Sequence, residues 1–146
     1  MHDRGVMTYY VDVEVMGLGR IPFLVDTGAG YLAIGQQMFR VLERHGQTHY
    51  LREMEGMLAD GTRITVPVYR IAYINIGGNC VVRDVETTVF PHATRAVLGL
   101  SALRKTAPFK FSINPPTLEL TNCQALTSIE QTTDLNANNW PSQRLE

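Results

Sequence analysis

Asp26 is the residue from which chemistry would start. It stands in Phe23-Leu24-Val25-Asp26-Thr27-Gly28-Ala29, directly after a short apolar run. A carboxylate beside a buried strand is costly unless it is hydrogen-bonded or paired. The neighbours supply the means. Thr27 brings a hydroxyl that can brace a loop. Gly28 lets the backbone approach and donate an N–H to the carboxylate. Ala29 keeps the corner small. Read functionally, Asp26 is a carboxylate held ready for acid–base work. Read plainly, Asp-Thr-Gly is a turn after a strand.

Two further features share this context. Val97-Leu98-Gly99 is a hydrophobic–hydrophobic–Gly run that can pack beneath the same loop. Between the two lies Ala59-Asp60-Gly61-Thr62, with the Asp-Gly signal of a tight hairpin turn.

The other candidates are weaker. His45 and His49 are four apart, but Gly46 stands where the zinc motif needs Glu, and no third ligand is evident. No metal and no cofactor are expected. Gly17-Leu18-Gly19 and Gly77-Gly78 lack the Lys-Ser/Thr of a phosphate loop. Ser101 lacks the second Gly of a nucleophile elbow and reads as a helix cap or a core hydroxyl. Cys80 and Cys123 form no Cys-x-x-Cys pair and read as two plain thiols. Tyr31, Phe39 and Trp140 read as packing, and Arg83, Asp84 and Glu86 as a solvated strand face.

The elements that must position Asp26 are mostly strands. Tyr9, Val11, Val13 and Val15 alternate with polar residues, the period of a half-buried strand. Residues 21–25 suit a strand buried on both faces, and 31–34 suit another. Residues 36–44 predict a helix, with an apolar stripe at Met38, Val41 and Leu42 and a stop at Gly46. Strands are expected again at 64–68 and 71–76, with one more strand or two over 81–90 and a short buried run at 96–99. Pro67 demotes its segment to an edge or a mobile hairpin. Phe109, Phe111 and Ile113 alternate, Asn114-Pro115-Pro116 turns, and Leu118 and Leu120 alternate back. From Asn122 to the end the pattern gives way to Asn, Gln, Ser and Thr. The expected division is a domain over 1–121 and a polar tail or interface arm over 122–146.

Composition bounds the function. With 146 residues, 45% apolar and 18% charged, the chain reads as one globular domain. Its formal charge of −1, without basic runs, argues against nucleic acid as a partner. No apolar run approaches the ~20 residues of a membrane span. The first residues, Met1-His2-Asp3-Arg4, lack the apolar stretch of a signal peptide. Short strands, Gly-rich turns and one helix make an all-β, barrel-like domain the expected architecture.

From about residue 10 to 120 the sequence resembles the single-domain, retropepsin-like aspartic proteases, bacterial relatives of retroviral proteases. The resemblance rests on Leu24-Val25-Asp26-Thr27-Gly28-Ala29, the Ala59-Asp60-Gly61 hairpin, and Ile74-Asn75-Ile76-Gly77. It continues in Val97-Leu98-Gly99-Leu100-Ser101-Ala102-Leu103 and the closing pair Phe111-Ser112-Ile113 and Leu118-Glu119-Leu120. It implies a closed retropepsin-like barrel with a short helix and a flap hairpin at Ala59, Asp60 and Gly61. Asp26 would be the catalytic aspartate. Thr27, Gly28 and Ala29 would complete its loop, with the Thr27 hydroxyl bonding across subunits. Val97, Leu98 and Gly99 would support that loop. The pattern departs at Gly30, where relatives often carry Ser, Asp or Thr, and at Leu100-Ser101, where retroviral enzymes carry Arg-Asn or Arg-Asp.

Hydrolysis by this route uses two carboxylates that share a proton. One acts as base on water and the other protonates the carbonyl oxygen. The chain has a single Asp-Thr-Gly and no Asp-Ser-Gly. A homodimer acting on a peptide or protein substrate is therefore expected, with the site on the twofold axis. The competing reading is an inactive dimerisation or peptide-binding module in which Asp26 does not reach its twin. A purely structural barrel is the third.

Overall fold

The computed structural model describes residues 2–3, 8–58, 60–92 and 95–123. Among these residues the strands are β1 (His2–Asp3), β2 (Tyr9–Val15), β3 (Gly19–Val25), β4 (Leu32–Gly35), β5 (Thr48–Met57), β6 (Arg63–Ile76), β7 (Cys80–Phe90), β8 (Ala96–Leu98), β9 (Lys110–Ile113) and β10 (Pro116–Glu119). Helix α1 (Gln36–Arg44) and the single-turn α2 (Leu100–Leu103) accompany them.

Six strands close on one another in the order β2-β3-β8-β4-β7-β6, because β6 returns to pair with β2 at Val13↔Ile76. β1 and β5 are added at the sheet's ends, and β9 and β10 form a separate hairpin. Closure removes the exposed edges that an open sheet of these strands would leave. The core fills the barrel with Val11, Val13, Phe23, Leu32, Ile34, Ile71, Ile74, Ile76 and Leu98. Leu42, Leu103 and Leu118 seal it from the helices and the last hairpin. Among the described residues, no helix is long and apolar enough to cross a membrane.

β2 buries the four expected residues, Tyr9, Val11, Val13 and Val15. α1 has the predicted bounds, although its buried residues are Phe39 and Leu42, and of the expected stripe Met38 and Val41 are only partly buried. Phe39 packs on Tyr69, ring centroids 4.3 Å apart, so tertiary contact outweighs the local stripe. β3 is not buried on both faces. Phe23 is its one fully covered residue, since a barrel wraps a single core and leaves the outer face at Pro22 exposed. The segments expected as two strands at 64–68 and 71–76 are one strand of 14 residues.

Cys80 and Cys123 are not two thiols. They form a disulfide with Cα atoms 4.8 Å apart, and so fasten the chain after β10 to the start of β7. Closing a loop of 43 residues restricts the unfolded chain by an amount worth about 3–4 kcal/mol. The polar arm expected over 122–146 lies outside the described residues, apart from Asn122 and Cys123, and Trp140 lies outside them with it.

Candidate active site

The site is built where two parallel strands end side by side. β3 and β8 run parallel, with Val25 level with Leu98. β8 also pairs with β4, Ala33 against Val97. It therefore lies between the two strands that flank the loop of residues 26–31. A strand inserted there keeps β3 and β4 from closing as a tight hairpin and holds the loop open.

Backbone hydrogen bonds stitch the loop to β8. The Asp26 N–H donates to Leu98 O at 3.1 Å, and the Leu100 N–H donates to Ala29 O at 2.8 Å. Within the loop, the Gly28 N–H donates to Asp26 Oδ1 at 2.9 Å and the Ala29 N–H to Asp26 O at 3.2 Å. Asp26 is partly exposed, and Thr27 and Gly28 are exposed. The carboxylate is thus oriented by a backbone donor while still open to solvent. A Cβ on Gly28 would lie 3.1 Å from Asp26 Oδ1, so Gly at this position also leaves room for the carboxylate.

Gly99 is required for a different reason. Its backbone is extended at φ −102°, which any residue can adopt. A Cβ there would lie 2.7 Å from Ala29 O and closer still to Tyr31 O. The glycine is needed for space, because the loop's backbone rests directly on it. Val97, Leu98 and Gly99 are thus brought together with Asp26, Thr27, Gly28 and Ala29.

Ser101 is a buried brace and not a cap. Gly99 occupies the N-cap position of α2. The Ser101 hydroxyl donates to Glu86 O at 2.6 Å and accepts from the Leu32 N–H at 2.7 Å, joining β7 to the start of β4. Nothing in the local sequence distinguishes such a brace from a cap, since both partners are remote.

The Asp60-Gly61 turn closes the β5–β6 hairpin. The Leu58 N–H donates to Thr62 O at 2.8 Å and the Gly61 N–H to Leu58 O at 2.9 Å. Gly61 has φ +87°, the left-handed region that glycine enters at low cost. Asp60 Oδ1 accepts from the Thr62 N–H at 2.8 Å, and its hydrogen bonds with Thr62 hold its carboxyl below the usual aspartate range. Ala59 lies outside the described residues.

The hairpin leaves the barrel at a definite place. β6 pairs with β7 only from Val68 onward, whereas it pairs with β5 as far as Arg63. From Pro67 to Arg63, β5 is its one ladder partner among the described residues, so the N–H that Pro67 lacks is not missed there. At Gly56 a Cβ would meet the Phe90 ring at 3.1 Å, so the arm rests close on the end of β7.

His45 ends α1, its Nδ1 2.8 Å from Val41 O, and His49 stands in β5. Among the described residues no three His, Cys, Asp or Glu side chains gather in a way that could hold a metal. Tyr31 and Glu86, which read in sequence as packing and as a solvated face, both meet Arg52. Arg52 carries no sequence signal, because its partners lie far away in the chain, on β7 and in the 26–31 loop.

A closed six-stranded barrel with Asp-Thr-Gly seated on a hydrophobic–hydrophobic–Gly strand is the fold of the retropepsin-like aspartic proteases. The model of the family described as gag-polyprotein putative aspartyl protease matches residues 11–105, and the chain belongs to that family. The structure is similar to a retropepsin-like aspartic protease from Rickettsia conorii (TM-score 0.55, 20% identity, 77% of this chain and 80% of that one). It is also similar to the retroviral protease-like domain of Ddi1 from Leishmania major (TM-score 0.55, 19% identity, 80% and 90%). No curated protein matches the sequence.

Proposed function

We propose that the protein is an aspartic endopeptidase that hydrolyses peptide bonds with a water activated by two Asp26 carboxylates, one from each subunit of a homodimer. One observation carries the reading: a partly exposed Asp26, its Oδ1 fixed by the Gly28 N–H at 2.9 Å, on a loop bonded to Leu98 and Leu100. A carboxylate oriented this way can accept a proton from water without reorganising.

One Asp-Thr-Gly per chain supports the dimer, because the reaction needs a second carboxylate on the same water. Thr27 is exposed and stands next to Asp26, which suits a hydroxyl that bonds to the partner's loop. The hairpin from Glu53 to Pro67 would act as the flap, covering an extended peptide held by backbone hydrogen bonds. The 1–121 domain would carry the activity, with 122–146 as a polar tail or interface arm.

The reading is tested by incubating the protein with an unfolded polypeptide over a range of pH. Cleavage by the wild-type chain, absent in Asp26→Asn, is the expected result. Equal cleavage by both would overturn it.

The flap assignment has its own test. In Gly61→Val the added Cβ would have nothing within 4 Å, but a β-branched residue would stand at φ +87°. The strain is of order 1–3 kcal/mol and is confined to the hairpin tip. Peptide turnover should fall by about tenfold or more if the tip must seat on substrate, while the thermal midpoint moves by a few degrees. A steep loss of stability with unchanged activity per folded molecule would make Gly61 a structural turn only.

A further inference from the structure

We propose that Arg52 is a positioning residue that latches the base of the flap to the catalytic loop, so that flap seating and loop placement are set together. The proposal rests on the protease reading for the names flap and catalytic loop; the coupling it describes is a property of the fold.

Arg52 occupies the place where the hairpin leaves the barrel. It pairs with Val68, the first β6 residue that also pairs with β7. The β5–β6 register shifts between Tyr50 and Arg52, so Arg52 directly follows an irregularity of the bulge kind. Bulges re-aim a side chain and sharpen the local twist. Here the re-aimed side chain reaches back over the barrel.

Its Nη2 donates to Glu86 Oε1 on β7 at 2.7 Å and to Tyr31 OH at 2.9 Å. The guanidinium also stands over the Tyr31 ring, 5.9 Å from its centroid. One side chain therefore joins a flap strand, a barrel strand and the loop that begins at Asp26. Both acceptors favour the charged form, Glu86 the more strongly, which raises the Arg52 pKa above its ordinary value.

Tyr31 is well placed to transmit the connection. Its backbone rests against Gly99, and the next residue, Leu32, donates its N–H to Ser101 Oγ. Ser101 in turn donates to the backbone oxygen of Glu86, the residue whose carboxylate holds Arg52. Movement of the flap base would pull on Tyr31 and, through the backbone of the 26–31 loop, on Asp26.

An ion pair whose side chains are 45% and 42% exposed adds little to global stability. The latch should therefore be felt in local opening and substrate capture more than in unfolding. The test compares wild type, Arg52→Ala, Tyr31→Phe and the double variant in the full chain by amide hydrogen exchange. The probes are Leu58 and Gly61 in the hairpin and Ala29 in the loop with Leu32 at its end, with Val13 as a barrel control. Arg52→Ala should speed exchange several-fold at both hairpin and loop, leave Val13 unchanged, and shift the thermal midpoint by only a few degrees. Tyr31→Phe should do the same at the loop, and the double variant should be no faster than Arg52→Ala, since both remove one connection. Arg52→Lys should restore part of the protection. In peptide cleavage, Arg52→Ala should raise KM more than it lowers kcat.

Faster exchange confined to the hairpin, or strictly additive effects of the two substitutions, would overturn the latch. Exchange needs no turnover. A wild-type chain that cleaves nothing would therefore count against the protease reading, while the exchange rates still decide the latch.

Discussion

Asp26→Asn should yield a folded protein that no longer cleaves peptide bonds. Asn is nearly isosteric with Asp, and its Oδ1 can still accept the Gly28 N–H that now reaches the carboxylate at 2.9 Å. The exchange of a charged acceptor for a neutral one costs about 1 kcal/mol, within the reach of a stable barrel. The chemical loss is far larger. Asn cannot take a proton from water, and removal of a general base costs ~10²–10⁴-fold in rate. Circular dichroism should overlay wild type and the thermal midpoint should move by only a few degrees, while turnover falls to the limit of detection.

The same variant tests the shared site. Adding excess Asp26→Asn subunits to wild type should poison activity, because each mixed dimer carries a single ionisable partner. Specific activity of the wild type should rise with concentration and level off, following the dimer equilibrium. Sedimentation run beside the activity titration should place both transitions at the same concentration. An active species that stays monomeric throughout would defeat the two-carboxylate mechanism.

Gly99→Ala should have the largest effect on folding of any single methyl group added near the site. The new Cβ would lie 2.7 Å from Ala29 O and nearer still to Tyr31 O, and both obstacles are backbone. Neither can rotate away, so the loop must lift off β8. That movement strains the Asp26–Leu98 and Leu100–Ala29 hydrogen bonds. Overpacking of this kind costs about 1–3 kcal/mol and more where the backbone must move, so a loss near 3 kcal/mol is expected. Gly30→Ala is the internal control. Nothing lies within 4 Å of its added Cβ, and stability should change by less than about 0.5 kcal/mol. Denaturant titration of both variants reads the difference directly. Equal effects would mean that Gly99 is not the seat of the loop.

What is legible in the sequence is what is local. Alternation from Tyr9 to Val15 defines β2, since a strand's side chains change face at every residue. The run from Gln36 to Arg44, stopped by Gly46 at φ +68°, defines α1. Asp-Gly marks the hairpin turn because its backbone requires a left-handed residue. The Asp26 loop and Val97-Leu98-Gly99 can be read as partners because each is a short motif with its own chemistry.

Only the tertiary structure decides what depends on residues far apart in the chain meeting in space. The insertion of β8 between β3 and β4 is a topological fact with no local signature, and it makes Gly99 a steric necessity. Cys80 and Cys123 can be told from free thiols only once the turn before β7 and the chain beyond β10 lie together. Ser101 reads as a possible cap because its two partners, the Leu32 N–H and Glu86 O, are 69 and 15 residues away. Arg52 has no signal of its own, since a lone arginine on an edge strand is ordinarily solvated. Its meeting with Tyr31 and Glu86 follows from the lateral order β4-β7-β6-β5 in the sheet and from the irregularity beside it. Local pattern sets which residues form an element and which face is apolar, whereas hydrogen bonds and packing between elements depend on register and closure, which arise only when the whole sheet is assembled.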